Sequence, residues 1–295
     1  MTATETGPSA AGGPSPDHTE RYGPDALHLV DLFAARGDDD RDGAARGGAA
    51  TGGADGGEAG RGLVILLHGG FWRRRWDRTH LYPMAAALAA EGWTVALPEY
   101  RRVGDPGGGW PGTGDDVLRL LEAVPPLVRA RWGAAVAERI VLVGHSAGGH
   151  LALWSQTQEA TVHGVVSLAG VLDLDAAHRA RLSDGAVAEL LGGAGAPGGS
   201  ASDRDAESSG GAGAAGFAAS LEAVDTMRLP VPEGPAITLV HGALDDEVPV
   251  SYSRAYAARD ERIRLAEIAD AGHYEVIDPT SRAWPTVLAA LDHHR

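Results

Sequence analysis

Lysine does not occur in this 295-residue chain, so all 25 basic side chains are arginines, and cysteine is absent as well. Without lysine the chain has no Schiff-base amine and no P-loop ammonium. Without cysteine it has no thiolate nucleophile, disulfide, iron–sulfur ligand or Cys-type zinc site. Positive charge is scarce: 40 acidic residues leave a formal net charge of −15, which repels a phosphate backbone or an anionic membrane surface. Nucleic acid is therefore not an expected partner. No apolar run approaches the ~20 residues of a membrane span, and the opening MTATETGPSAAGGPSPDHTE has neither the basic nor the apolar region of a secretion signal. A cytoplasmic protein without membrane association is the expectation. A hydrophobic content of 44% allows a substantial core.

Residues 1–18, rich in Gly, Ala, Pro, Ser and Thr, read as a disordered tail, since too few apolar groups are present to offset ordering entropy. The stretch ALHLVDLF (Ala26 to Phe33) alternates as a half-buried strand does, and residues 36–61, nearly all Gly, Ala, Asp and Arg, read as a flexible loop. Uninterrupted apolar runs follow at Leu63 to Leu67, Thr94 to Leu97, Ile140 to Val143, Val165 to Leu168 and Ile237 to Val240. Helix-like stretches separate them: Leu81 to Glu91, Gly114 to Arg131, His150 to Gln156 and Ser251 to Arg259. Strands that are apolar at every position must be covered on both faces, so this rhythm predicts an α/β fold, a doubly wound, mostly parallel sheet with helices on both sides. Residues 19–295 are expected to form one domain. The rhythm breaks at 173–228, where a helical piece at Asp184 to Leu191 borders a Gly/Ser-rich run, predicting an inserted loop or a small cap over the ligand crevice.

VLVGHSAGGHLALW (Val141 to Trp154) places Ser146 where a buried strand ends and a helix begins. A nucleophile on so sharp a turn needs small neighbours, and Gly144 and Gly148 provide them. The helix N-terminus directs N–H groups at an oxyanion forming beside the serine, with Ala147 N–H as one donor. A second glycine turn, His68-Gly69-Gly70-Phe71-Trp72, follows the strand LVILL directly. Its backbone offers the other half of an oxyanion hole, from Gly69 and Gly70 or from Phe71 N–H, with His68 bracing the turn. Next comes WRRRW (Trp72 to Trp76). Phe71, Trp72 and Arg73 are candidate substrate contacts, the guanidinium for a carboxylate and the rings as an aromatic wall; the alternative is a solvated loop whose arginines pair with surface carboxylates.

With HGGFW and GHSAGGHLA in place, the chain from about Tyr22 onward resembles the α/β-hydrolase superfamily, in particular its esterase and arylformamidase (kynurenine formamidase) branch. The resemblance implies a triad in the order Ser, then Asp or Glu, then His. HGALDDEVP (His241 to Pro249) is similar to the family's H-G-x-x-D-x-x-V-P, which makes Asp245 the triad acid and its neighbour Asp246 a solvated loop carboxylate. His273, preceded by glycine in RIRLAEIADAGHYEVIDP, matches the family's base. The implied activity is hydrolysis of a small-molecule carboxylic ester through an acyl-enzyme on Ser146, with formamide hydrolysis as the alternative and no metal or organic cofactor required. A non-catalytic binding module, or a lyase or cofactor-free oxygenase, on the same fold are the other readings.

Overall fold

The computed structural model describes residues 13–37, 60–158, 162–192 and 210–294. Among the described residues eight strands form one sheet: β1 (His18–Arg21), β2 (Leu29–Phe33), β3 (Leu63–Leu67), β4 (Thr94–Pro98), β5 (Ile140–His145), β6 (Gly164–Leu168), β7 (Ala236–Gly242) and β8 (Arg264–Ile268). Their spatial order is β1-β2-β4-β3-β5-β6-β7-β8. The pairs β1/β2 and β2/β4 are antiparallel, and all the others are parallel. The expected α/β architecture, a doubly wound and mostly parallel sheet, is the one observed.

The apolar runs form strands because the sheet is covered on both sides. On one face Leu63, Ile65 and Leu67 pack with Val117 and Leu120 of α2 (Gly112–Trp132) and Leu151 of α3 (Ala147–Ser155). On the other, Val64 and Leu66 pack with Met84 and Leu88 of α1 (Tyr82–Ala90) and with Val287 and Leu291 of α8 (Trp284–Asp292). Alternate residues of one strand thus enter opposite layers, each withdrawn from water. α7 (Ser251–Ala257) packs against β7 and β8.

Three expectations need adjustment. The strand expected from Ala26 begins at Leu29, because Asp25 closes a turn by accepting Leu27 N–H at 2.9 Å on its carboxylate and His28 N–H at 3.1 Å on its carbonyl. The tail's last residue, His18, starts β1; residues 1–12 of that tail and 38–59 of the expected loop lie outside the described residues. Within the insertion, α4 (Leu174–Arg179), α5 (Leu182–Leu190) and α6 (Gly210–Val224) are helical, and 193–209 lies outside the described residues. The end of the Gly/Ser-rich run, expected to be an inserted loop or a small cap, therefore enters a 15-residue helix. Its alanines favour helix, and its C-terminal end is fixed by buried Leu221 and Val224. α5 is kinked at its start, where Ser183, Asp184 and Gly185 have left-handed backbone. Among the described residues no helix is long and apolar enough to cross a membrane.

Candidate active site

β5 ends at His145 and α3 starts at Ala147, which leaves Ser146 alone in the turn at φ 55°, ψ −116°. For a residue with a side chain this backbone costs on the order of 1–3 kcal/mol, so the surroundings must enforce it. They do so from both neighbours: Ser146 N–H donates to Leu168 O on β6 at 2.8 Å, and Ser146 O accepts from Gly149 N–H at 3.0 Å and Val171 N–H at 3.2 Å. The hydroxyl makes no capping bond to α3, so it is not consumed by the helix it precedes. A Cβ on Gly144 would lie 2.1 Å from Gly148 O, and one on Gly148 would lie 2.3 Å from Leu67 O. Both glycines are required by backbone contact across the turn.

The turn after β3 lies against this elbow: a Cβ on Gly69 would be 3.0 Å from Ser146 Cβ. Gly70, Phe71 and Trp72 all have positive φ, at 108°, 50° and 58°. Trp72 O accepts from Val103 N–H at 2.7 Å and Arg74 N–H donates to Val103 O at 3.1 Å, which pins the turn to the segment after β4. Among the described residues, the N–H groups of Gly69, Gly70 and Phe71 have no protein acceptor. Ala147, first in α3, is one of the helix donors that lack an intrahelical partner by construction.

The third component comes from the opposite side of β5. His273 Nδ1 is 2.7 Å from Asp245 Oδ2, while Asp246 is exposed. Asp245 follows β7 in a turn that its own carboxylate organises by accepting Val248 N–H at 2.7 Å and Glu247 N–H at 3.0 Å. His241 Nε2 lies 3.1 Å from the oxygen that faces His273, and its Nδ1 lies 2.7 Å from Ser253 Oγ. Burial alone would raise the Asp245 carboxyl, but the bonds from His241, His273 and Val248 outweigh it and hold the group well below the usual carboxylate range. It is therefore an anion beside the imidazole at neutral pH. The His273 ring sits 4.7 Å, centroid to centroid, from that of His145, the residue preceding Ser146, and His145 Nε2 donates to His273 O at 3.1 Å. Ser146 and His273 are 1% and 4% exposed. Among the described residues no hydrogen bond joins the Ser146 hydroxyl to the His273 ring, a looseness common before substrate binds.

Two buried histidines near the elbow stay neutral. Burial, followed by repulsion from His273, pushes His145 well below the ordinary range, and burial pushes His150, on α3, down to about 4. His150 Nε2 donates to Val224 O at 2.9 Å and so ties α3 to the end of α6. Because its folded-state pKa is depressed, the folded chain binds fewer protons than the unfolded one below about pH 6.5, so stability is full above that value and falls as the pH drops toward 4. A Tm series between pH 7 and 4 is expected to decline, with a smaller slope in His150→Gln. An equal slope in the two proteins would contradict this account of His150.

The proposed substrate contacts are placed differently from the sequence expectation. Trp72 is fully buried rather than a wall of the mouth: positive φ at Phe71 and Trp72 turns its indole into the core, where it meets His150 edge-on at 5.4 Å. Arg73 is occupied by the insertion, donating to Glu189 Oε2 at 2.6 Å, Ser183 Oγ at 3.0 Å and Ser183 O at 2.8 Å. With these donors committed, the guanidinium straps the turn to α5 instead of facing a substrate carboxylate. Phe71 is half-buried beside Trp72. Among the described residues the large apolar side chains that are exposed are Leu244 (66%) and Tyr274 (51%), each next in sequence to a member of the Asp245–His273 pair.

Sequence reasoning gave no role to His241 or Glu99. His241 was visible only as the first letter of HGALDDEVP. Glu99, buried behind the Gly69–Gly70 turn, hydrogen-bonds His68 across two strands, a pairing that linear order does not reveal. Burial would lift its carboxyl, but His68, Arg102 and Arg78 N–H outweigh that and lower it.

The structure overlays on solved hydrolases along nearly its whole length. An acetyl ester-xyloside bifunctional hydrolase from Caldicellulosiruptor lactoaceticus shares 15% identity at a TM-score of 0.64, with 96% of this chain and 97% of that chain covered. Esterase B from Lactobacillus rhamnosis gives 19%, 0.63, 96% and 87%, and Thermogutta terrifontis esterase 2 gives 17%, 0.62, 94% and 92%. At such identities the likeness concerns the fold. No curated protein matches the sequence. A family sequence model does match, over residues 64–283, from β3 through the segment beyond His273, and by that match the chain belongs to the Alpha/beta hydrolase family.

Proposed function

We propose that this chain is a serine hydrolase that cleaves a carboxylic ester of a small molecule. The observation that carries the reading is the 2.7 Å contact between His273 Nδ1 and the ionised Asp245 carboxylate, beside an elbow whose serine hydroxyl is free of capping duty. Asp245 accepts a hydrogen bond from Nδ1–H, which keeps that proton on Nδ1 and leaves the lone pair on Nε2. Nε2 takes the Ser146 proton as Oγ attacks the ester carbonyl, and the tetrahedral oxyanion is held by N–H groups of the Gly69–Gly70 turn and Ala147. The imidazolium returns the proton to the departing alkoxide, which leaves as an alcohol. Water, deprotonated by the same nitrogen, then attacks the acyl-enzyme and releases the acid.

Leu244 and Tyr274 support an apolar substituent on the substrate, while the commitment of Arg73 to α5 removes the argument for an anionic one. Esters and formamides pass through the same intermediates and differ in the leaving group, so kinetics must separate them. In parallel assays kcat/KM is expected to be higher for p-nitrophenyl acetate and longer acyl esters than for N-formylkynurenine. Preference for the formamide would overturn the ester assignment and leave the nucleophile standing.

A further inference from the structure

We infer that Glu99 is a positioning residue that acts through His68 to hold the Gly69–Gly70 peptide with its N–H toward Ser146. The inference rests on the serine-hydrolase reading and adds a residue that neither the motif nor the triad contains. His68 Nδ1 is 2.8 Å from Gly69 O, and His68 Nε2 is 2.7 Å from Glu99 Oε1. Each ring nitrogen thus meets an oxygen, one of the Gly69 peptide and one of the Glu99 carboxylate, so the ring is a rigid bridge between them. The carbonyl of Gly69 and the N–H of Gly70 belong to one planar trans peptide and point in opposite directions. Fixing the oxygen therefore fixes the donor.

Sheet order supplies the direction. β3 lies between β4 and β5, Glu99 directly follows β4, and Ser146 directly follows β5. A carbonyl drawn toward the β4 side by His68 sends the Gly70 N–H toward the β5 side, where the elbow is. Gly70 itself, at φ 108°, belongs to the run of positive-φ residues that turns the chain there.

The rest of the surroundings immobilises the bridge. Tyr100 stacks on the His68 ring at 4.2 Å and 7° and donates its hydroxyl to His68 O at 2.7 Å. Glu99, 1% exposed, is held by Tyr100 N–H at 3.1 Å and Arg78 N–H at 3.2 Å, with the Arg102 guanidinium 3.4 Å away. This is more restraint than a glycine turn needs in order to change direction, and it is concentrated on a single peptide. A donor that must meet charge developing in the transition state gains from such restraint, because it need not reorient as the reaction proceeds.

The test is Glu99→Gln in the full chain, assayed with p-nitrophenyl acetate. The variant is expected to lose kcat by about 10- to 100-fold with KM nearly unchanged, since only transition-state stabilisation is affected. Affinity for a trifluoromethyl ketone, whose adduct with the serine carries the oxyanion, should fall by the same factor as kcat/KM. If Glu99→Gln does not fold, Glu99→Asp, which keeps the charge and withdraws it by one methylene, is expected to show the same signature at smaller size. Unchanged kcat, or a loss confined to KM with ketone affinity intact, overturns the inference. Fluorophosphonate labelling of Ser146 in the parent separates the two levels: labelling with no Glu99 effect removes only the bridge, whereas absence of labelling removes the serine-hydrolase reading beneath it.

Discussion

Asp245→Asn is expected to lower kcat for p-nitrophenyl acetate by about 10⁴-fold, close to 5.5 kcal/mol of transition-state stabilisation, with the chain still folded. In the proposed mechanism the carboxylate, 2.7 Å from His273 Nδ1, fixes which nitrogen of the ring carries the proton and balances the imidazolium charge that forms when Ser146 is deprotonated. An amide can turn its NH₂ toward Nδ1, which would leave the proton on Nε2 and deprive the serine of its base. Two further donors sharpen the effect, because His241 Nε2 and Val248 N–H also point at Asp245 and would compete for the single amide oxygen. Asp246→Asn, one position away and exposed, is the matched control and should remain near parental activity. Equal losses in the two variants would show that the carboxylate facing His273 is not special.

Gly148→Ala tests the elbow by geometry alone. The added methyl would sit 2.3 Å from Leu67 O and 2.6 Å from His68 O, both backbone atoms, the first in a central strand and the second at the root of the Gly69–Gly70 turn. No rotamer relieves a contact with backbone, so α3 or β3 must move. The expected cost is about 3 kcal/mol or more, a Tm fall of roughly 6–12 °C, with activity lost beyond the change in folded fraction because both halves of the proposed oxyanion site shift. Gly216→Ala is the contrast: on α6 a Cβ there meets nothing within 4 Å, and the substitution should stabilise or be neutral. A Gly148→Ala protein with parental Tm and kcat would contradict the packing described for the turn.

The parallel sheet and the elbow were legible because each rests on a local pattern. Leu63 to Leu67 and Ile140 to Val143 are apolar at every position, which only a strand covered on both faces requires, and Gly144 and Gly148 flank Ser146 at the spacing the turn needs. The site's supports were not legible, because they depend on side-chain direction and on contacts distant in sequence. WRRRW follows the Gly69–Gly70 turn in the chain, yet left-handed backbone sends Trp72 inward, and Arg73 finds partners more than 100 residues away on α5. His68 could be read as a brace, but Glu99 on the far side of it could not. α6 was hidden by composition: the glycines and serines left an inserted loop and a small cap equally open, while the alanines between and the anchoring of Val224 by His150 produce a helix.

Ester hydrolysis by the proposed route requires Ser146 to attack substrate with His273 as its base, and mass spectrometry of the chain after fluorophosphonate treatment is the decisive measurement. One adduct per chain is expected on the peptide containing Ser146, absent in Ser146→Ala and formed far more slowly in His273→Ala, with ester hydrolysis lost in parallel. An unmodified Ser146 in a protein that still hydrolyses esters, or full turnover by Ser146→Ala, would contradict the account.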